Sequence, residues 1–280
     1  MTDIDLYCMC LYEHHISNIK ELGYIPVGLG NNKFSKEWLR DNTDQNISKK
    51  NPSYGEYTFY YWFWKNVLPN FQNKKWVGFT GYRYHWSNNN NLKSEEITKL
   101  VNKDNFCDFV LKETPSEWKN YDLILGEQWF VDKWKLMKIL KKGKKFLLKN
   151  PTAFSKKNRN IKLHFDFFHG VGVLDKAIDQ LDGNEREDFR SFTRNRKSFN
   201  RENLFICRSK SLMESYFKSI FDWLERCEKI FGFDLEGYES KRIYAFLAER
   251  YLSYWFQKYG KPLEWPIFFF DTNKNRVKIK

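Results

Sequence analysis

Apolar side chains fall on alternate positions at Ile4, Leu6, Cys8 and Cys10, with further apolar residues between them. That pattern predicts a buried strand opening an α/β sheet, and residues 24–29 could supply the next strand. After a polar stretch, NPSYGEYTFYYWFWKN reads as a helix, with Asn51 as cap, Pro52 in the first turn, and Ser53 and Glu56 at capping-box spacing. KKWVGFTGYRYHW then predicts a short strand running into a glycine and polar aromatic residues, a transition that sets side chains at the carboxyl edge of a sheet. YDLILG reads as another strand, VDKWKLMKILKKG as a helix stopped by Gly143, and KFLLKNP as an extended element ended by Pro151.

Beyond about residue 160 the pattern becomes mainly helical. SKSLMESYFKSIFDWLERCEKIFG carries Met213, Tyr216, Phe217, Ile220, Leu224, Cys227 and Phe231 at three- and four-residue steps. Ser211 and Glu214 stand at capping-box spacing, and Gly232 marks the end. Residues 244–256 form a second, more aromatic helix after a turn at Gly237, and the chain closes with an apolar WPIFFF and a basic tail. No internal repeat of 20 to 50 residues is present. The expected organisation is an α/β part over 1–160 and a mainly helical part over 161–280, packed as one compact unit.

Composition supports a folded chain. Of 280 residues, 41% are hydrophobic and 19% aromatic, enough apolar surface to offset chain entropy despite 30% charge. No run of about 18 uncharged apolar residues occurs, and MTDIDLYCMC lacks the basic start and apolar stretch of a signal peptide, so a cytosolic protein is expected. Five cysteines, with Cys8 and Cys10 one residue apart on one face of a strand, read as reduced core thiols. The formal charge of +13 is concentrated: residues 133–162 hold twelve Lys or Arg and no Asp or Glu. A second basic cluster comprises Arg190, Arg194, Arg196, Lys197 and Arg201. The belt is either a solvated helix face or an attachment to anionic lipid headgroups or a pyrophosphate-bearing ligand, where each basic group near such a membrane is worth roughly 1 kcal/mol.

Three segments set polar groups among apolar ones: DNTDQNIS leading into the 51–66 helix, GFTGYRYHW, and ESKRIYAFLAERYL. On a helical wheel the last puts Ile243, Phe246, Leu247 and Tyr254 on one stripe with Arg250 near its centre, where an arginine needs a carboxylate or a phosphate. Arg242 and Glu249 lie seven residues apart beside that stripe. They form either a helix-anchoring ion-pair network or a site wall holding a base and a phosphate clamp. His164, Asp166 and His169 in LHFDFFHGVG are either a metal or leaving-group site or parts of a turn made by Gly170 and Gly172.

These blocks, DNTDQNISKKNPSYGEYTFYYWFWKN, WVGFTGYRYHW, NLFICRSK with its long helix, and KRIYAFLAERYLSYW, resemble in order and spacing a bacterial capsular-polysaccharide glycosyltransferase family long catalogued as a domain of unknown function. The resemblance implies a GT-A-like (Rossmann-like) nucleotide-binding sheet with a mainly helical C-terminal half. It also implies transfer of a sugar from a nucleotide-sugar donor to a hydroxyl of a glycan or lipid-linked glycan, at the cytoplasmic face of the membrane. Asp41, Asn42, Asp44, Asn46 and Ser48 match the family's polar stretch, and Ser53, Tyr54, Glu56 and Thr58 its helix entry. Tyr82 and Arg83 match its strand-end motif, and Arg242, Phe246, Glu249 and Arg250 its C-terminal helix. The chain departs from the family at Gly55 and Tyr57, usually Cys and Leu, and at Gly81, usually His, for which His85 is the candidate stand-in.

GT-A enzymes usually hold a divalent metal (Mn or Mg) on Asp-x-Asp at a strand end. The only Asp-x-Asp here, Asp3 and Asp5, comes ahead of the first strand. No cofactor is therefore assigned, and Arg83, helped by Arg242 or Arg250, is the expected diphosphate clamp. Asp44, Asn46, Ser53, Tyr54 and Tyr82 complete the expected donor site. Glu249 is the first candidate base and Glu56 the second, with His169 a further catalytic candidate. Two alternatives remain. A basic nucleic-acid-binding protein would use the belt and the aromatic residues, but those residues lie at helix-core spacing rather than among the basic ones, so no nucleic-acid partner is expected. A noncatalytic scaffold of a polysaccharide assembly complex is the other.

Overall fold

The computed structural model describes residues 3–71, 75–131 and 155–271. The expected helix at 131–143, the KFLLKNP element and most of the basic belt lie outside the described residues. Within the described part of that belt, Arg159 is fully buried and Lys162 pairs with Asp166 and Asp175. The chain forms two compact units: Met1–Glu127 with Asn203–Lys218 and Phe256–Lys280, and Gln128–Glu202 with Ser219–Trp255. The division expected near residue 160 follows chain order, whereas these units interleave, because late segments return to the first unit's sheet.

That sheet begins with β1 (Ile4–Cys10), buried along nearly its whole length. It pairs in parallel with β2 (Ile25–Gly28) and with β4 (Trp76–Gly81), in a register running from Ile4 opposite Trp76 to Met9 opposite Gly81. Being covered on both faces suits its continuous apolar run. β3 (Leu39–Arg40) extends β2. On the other flank, β9 (Phe205–Cys207) lies antiparallel between β4 and β6 (Leu123–Gly126), and β10 (Leu263–Trp265) runs parallel to β6. β5 (Tyr84–Trp86) turns back antiparallel to β4 and pairs with β11 (Ile267–Phe269). The order is β10-β6-β9-β4-β1-β2-β3, with β5 and β11 off that path. NLFICRSK and WPIFFF, placed in a helical half by the sequence reading, thus contribute strands.

The high aromatic content fills the space above this sheet. Phe79 on β4 meets Tyr60 at 4.7 Å, Phe63 at 5.2 Å and Phe205 at 4.9 Å. The first two are edge-to-face and the third is tilted, and an edge-to-face pair adds about 0.5–1.5 kcal/mol beyond area burial. A Cβ on Gly78 would stand 2.4 Å from Leu6 and 2.8 Å from Ile206, which accounts for glycine in the middle of a central strand. Cys8, Cys10, Cys207 and Cys227 are buried free thiols, whereas Cys107, expected in the core with them, is exposed.

Two helix starts differ from expectation. The 51–66 segment is broken into Asn51–Tyr54 and Tyr57–Asn66 by Gly55, whose φ of +57° interrupts the helix, and neither piece has a side-chain cap. The Asn51 side chain instead donates to Gly55 O and Thr58 Oγ1. The long helix Lys210–Phe231 is capped not by Ser211 but by Ser209, whose Oγ accepts from Leu212 N at 3.3 Å.

The second unit is mainly helical, with Ile161–His169, Val173–Ile178, Gly183–Asn195 and Tyr238–Lys241, joined by parts of Lys210–Phe231 and Ile243–Tyr259. A two-stranded ladder, β7 (Gln128–Phe130) with β8 (Ser198–Asn200), accompanies them. Trp223 Nε1 donates to Ala177 O at 2.7 Å, and Phe189 packs on Tyr254 and Trp223. Among the described residues no helix is long and apolar enough to cross a membrane.

Candidate functional site

From β1 the chain moves to β2 and β3 on one side, then crosses to β4 on the other. A parallel sheet opens a crevice at such a reversal, outside the carboxyl ends of the strands involved. Here those ends deliver residues 11–15 after β1 and the Tyr82–Arg83 turn after β4. Tyr82 N donates to Met9 O, continuing the ladder into the crevice. Tyr82 sits 4.6 Å from the His15 ring and edge-on to Tyr12 at 5.7 Å, while His14 lies 4.4 Å from His15. The Arg83 guanidinium lies 4.8 Å over the Tyr82 ring, and Phe270 N donates to Arg83 O, bringing Asp271 to this edge.

The electrostatics follow from that packing. Burial, then His14, push the His15 pKa down to about 4 against the pull of Asp271, so the imidazole is neutral at physiological pH. Burial also raises the Tyr82 phenol to about 12, against Arg83. The arrangement offers ring faces, a neutral imidazole and a guanidinium fork at one strand edge. Tyr12, His14, His15 and Asp271 were missed by the sequence reading. A tyrosine and paired histidines directly after the first strand were a usable signal for three of them, but Asp271 arrives only through the C-terminal return.

Along the same edge, at the end of β2, a polar network shapes the loop. Asp41, with no exposure, accepts from Gly30 N at 2.9 Å and Thr58 Oγ1 at 2.6 Å. Arg40 donates to Gly28 O and Gly30 O. Asp44 is exposed with φ of +48°. Asn46 donates to Asp44 O and accepts from Ser48 N and Oγ. Ser53 and Tyr54 are buried in the short turn before Gly55. Glu56 accepts from Asn203 Nδ2 at 2.5 Å, Tyr57 meets Tyr216 hydroxyl to hydroxyl at 2.7 Å, and the Tyr60 hydroxyl donates to Asn203 O. His85, the candidate stand-in beside Arg83, is instead a core residue on β5: it is buried against Phe106 and Phe268, with Nε2 near Phe270 O.

Arg242, Glu249, Arg250 and His169 belong to the second unit. From residue 242 to 256 every side chain is buried except Arg242, Phe246 and Glu249, which are half-buried at steps of four and three and so share one helix stripe. Phe246, expected within the apolar stripe, is on this accessible one. Arg250, 2% exposed, lies between the Phe165 and Phe199 rings. It donates to Glu249 Oε2 at 2.6 Å and to Phe246 O, with His164 Nδ1 at 3.2 Å from Nη2. Glu249 also accepts from Glu202 N at 2.8 Å. Burial lowers the Arg250 pKa, opposed by Glu249.

The histidine–aspartate cluster resolves into separate structural roles. Asp166 takes Lys162 at 2.5 Å and accepts from Gly172 N at 3.1 Å, bracing the turn in which Gly170 and Gly172 have positive φ. His164 is engaged with Arg250, and His169 Nδ1 donates to Glu239 O at 3.2 Å. Three side chains committed to different partners do not converge on an ion.

The chain matches the model of a domain of unknown function, DUF4422, over residues 8–260. It belongs to the DUF4422 family. A solved structure described as the apo form of WbbM, a bifunctional glycosyltransferase, superposes on this DUF4422 chain with a TM-score of 0.60 at 18% identity. The match covers 95% of this chain and 45% of that one, so the DUF4422 chain spans less than half of the WbbM chain. No curated protein sequence matches.

The likeness establishes the GT-A-like α/β fold for this DUF4422 protein and makes the metal question concrete. Asp5 stands at the amino end of β1, paired with Lys75 at 2.7 Å, and Asp3 O accepts from Trp76 N. Asp5 thus lies within β1 rather than ahead of it, and both residues are at the opposite end of the strand from the crevice. Among the described residues no group of three or more His, Cys, Asp or Glu could hold a metal ion. Among the described residues, the one Asp-x-Asp pair is therefore not placed to hold such a metal at the crevice.

Proposed function

We propose that the chain is a glycosyltransferase that moves a sugar from a nucleotide-sugar donor to a hydroxyl of a capsular or other surface polysaccharide acceptor. The observation that carries the reading is the group Tyr12, His15, Tyr82 and Arg83 at the β1/β4 crevice of a glycosyltransferase-like fold. Ring faces suit a nucleobase, and the Arg83 fork suits diphosphate oxygens without a metal. In the transfer, the bond from the donor sugar's C1 to the diphosphate oxygen breaks and a bond from C1 to the acceptor oxygen forms. Arg83 offsets the charge on the departing diphosphate. Glu249 takes the acceptor proton, with Glu56 the alternative and His169 contributing beside the acceptor. Asp44, Asn46, Ser53, Tyr54 and Tyr82 complete the donor site.

Support for Glu249 is its position on the accessible stripe, where Glu202 N and Arg250 donate to its carboxylate and fix its orientation. The basic 133–162 belt, apart from the buried Arg159 and the paired Lys162, would attract anionic lipid and keep the enzyme at the inner face of the cell membrane with a lipid-linked acceptor. A thermal-shift screen of nucleotide sugars tests the reading, since a ligand at a hundred times its Kd stabilises by about 2.7 kcal/mol. One nucleotide sugar is expected to raise Tm, with Arg83→Ala abolishing the shift and Glu249→Gln keeping it while losing transfer. Absence of any shift would refute the reading, and activity abolished by chelator and restored by manganese would refute the metal-free clamp.

A further inference from the structure

We propose that the second unit carries a binding platform for a neutral hexopyranose, built from Tyr238, Phe246, His169 and Arg242; it deepens the glycosyltransferase reading by naming where acceptor sugar sits. Along the otherwise buried stretch from 242 to 256, Arg242 and Phe246 are one turn apart on the accessible stripe. Phe246 stacks on the His169 ring at 4.0 Å and 26°. Tyr238, presented by the turn at Gly237 with φ of +79°, meets Phe246 edge-on at 6.2 Å and is 66% exposed. The Arg242 guanidinium lies 5.6 Å from the Tyr238 ring. A single exposed tyrosine is unremarkable on a protein surface. This one is continuous with a half-buried phenylalanine backed by the buried His169 ring, so Tyr238 and Phe246 form a run of surface rather than an isolated side chain.

The polar atoms on this surface are matched to hydroxyl groups. Because His169 Nδ1 donates to Glu239 O, Nε2 carries the lone pair and is an acceptor. Burial and then Arg250 bring its pKa down to about 3, so it stays neutral across the physiological range. An imidazole that weakly basic orients a hydroxyl better than it deprotonates one, since an effective general base has a pKa near the working pH. Arg242 supplies donors, and the Glu239 carboxylate lies 3.7 Å from His169 Nδ1, near the same rings. Arg242 and Glu239 carry opposite charges and His169 is neutral, so these three side chains together present no net charge to a ligand. A pyranose ring has the complementary surface: a C–H face that packs on the electron-rich ring of Tyr238, and a rim of hydroxyls for His169 and Arg242.

Saturation-transfer NMR on the full chain with a panel of methyl hexopyranosides at millimolar concentration tests this. At least one glycoside is expected to bind, with saturation strongest on the protons of one ring face. Tyr238→Ala should weaken it at least tenfold and Tyr238→Trp keep it within about twofold; the side chain is exposed, so both variants fold. Absence of saturation with wild type, or equal affinity in Tyr238→Ala, overturns the platform. A nucleotide-sugar thermal shift on the same proteins separates the two claims. Tyr238-dependent glycoside binding without donor binding sinks only the enzyme reading, whereas donor binding without Tyr238 dependence sinks only the platform.

Discussion

Asp41 illustrates how a single residue can be polar, close to the crevice and still act through the backbone. Its carboxylate has no exposure and holds Gly30 N and the Thr58 hydroxyl, fixing the loop after β2. Burial raises its pKa, only partly opposed by those hydrogen bonds. The sign follows: the folded state retains a proton that the unfolded state releases. Stability from this group is thus greatest below the unfolded carboxyl value of about 4 and declines as pH rises through the raised folded value. Asp41→Asn removes that titration, and its amide can still accept from Gly30 and donate to Thr58. Urea unfolding should therefore show the Asn variant gaining on wild type as pH rises from about 4. Asp41→Ala leaves the buried Gly30 N–H without its partner and should lower stability by about 1–3 kcal/mol at every pH. If the Ala variant matched wild type, the loop would not depend on this carboxylate.

At the scale of elements, the break at Gly55 decides where Glu56 points. With φ of +57° and ψ of −132°, Gly55 occupies a region other residues enter only under strain. Gly55→Ala should lower Tm by an amount equivalent to about 1–3 kcal/mol and loosen the Glu56–Asn203 hydrogen bond, readable as a change in the Asn203 side-chain amide NMR signals. An unchanged Tm would mean the kink relaxes freely. The same segment shows how legible the sequence was. β1, β2, β4 and β6 could be read because parallel strands covered on both faces are continuous apolar runs. The single 51–66 helix was misread because Pro52, Ser53 and Glu56 imitate a helix start while Gly55 carries no local sign of its φ. Ser209 and Ser211 are indistinguishable as caps until the backbone turn is known. Tyr82 and Arg83 were legible because a strand that ends in glycine and polar aromatic residues marks a sheet edge. His85 was misassigned because alternation along β5 turns it inward, and Asp271 was invisible because long-range pairing, not spacing, brings it to the crevice.

For the whole molecule the order of strands outweighs the order of the chain. β9 sits between β4 and β6, with Ile206 opposite both Gly78 and Ile124, so a segment beyond residue 200 joins the two flanks of a sheet begun at residue 4. β10 closes the edge beside β6, and β11 covers β5. A fragment ending at residue 160 would keep β1 to β6 but leave facing edges of β4 and β6 with unpaired backbone groups. It would also strip Phe205 and Phe217 from their contacts with Tyr60 and Phe63, opening an aromatic core to water. Such a fragment is expected to aggregate, or to stay soluble without a cooperative thermal transition by circular dichroism, while the full chain melts cooperatively. A soluble, cooperatively folding 1–160 fragment would show that the early strands are self-sufficient. The converse follows from the same topology: restoring 203–218 and 256–271 in trans should recover structure only if both segments are supplied, because β9 fills the middle of the sheet while β10 and β11 close its rim.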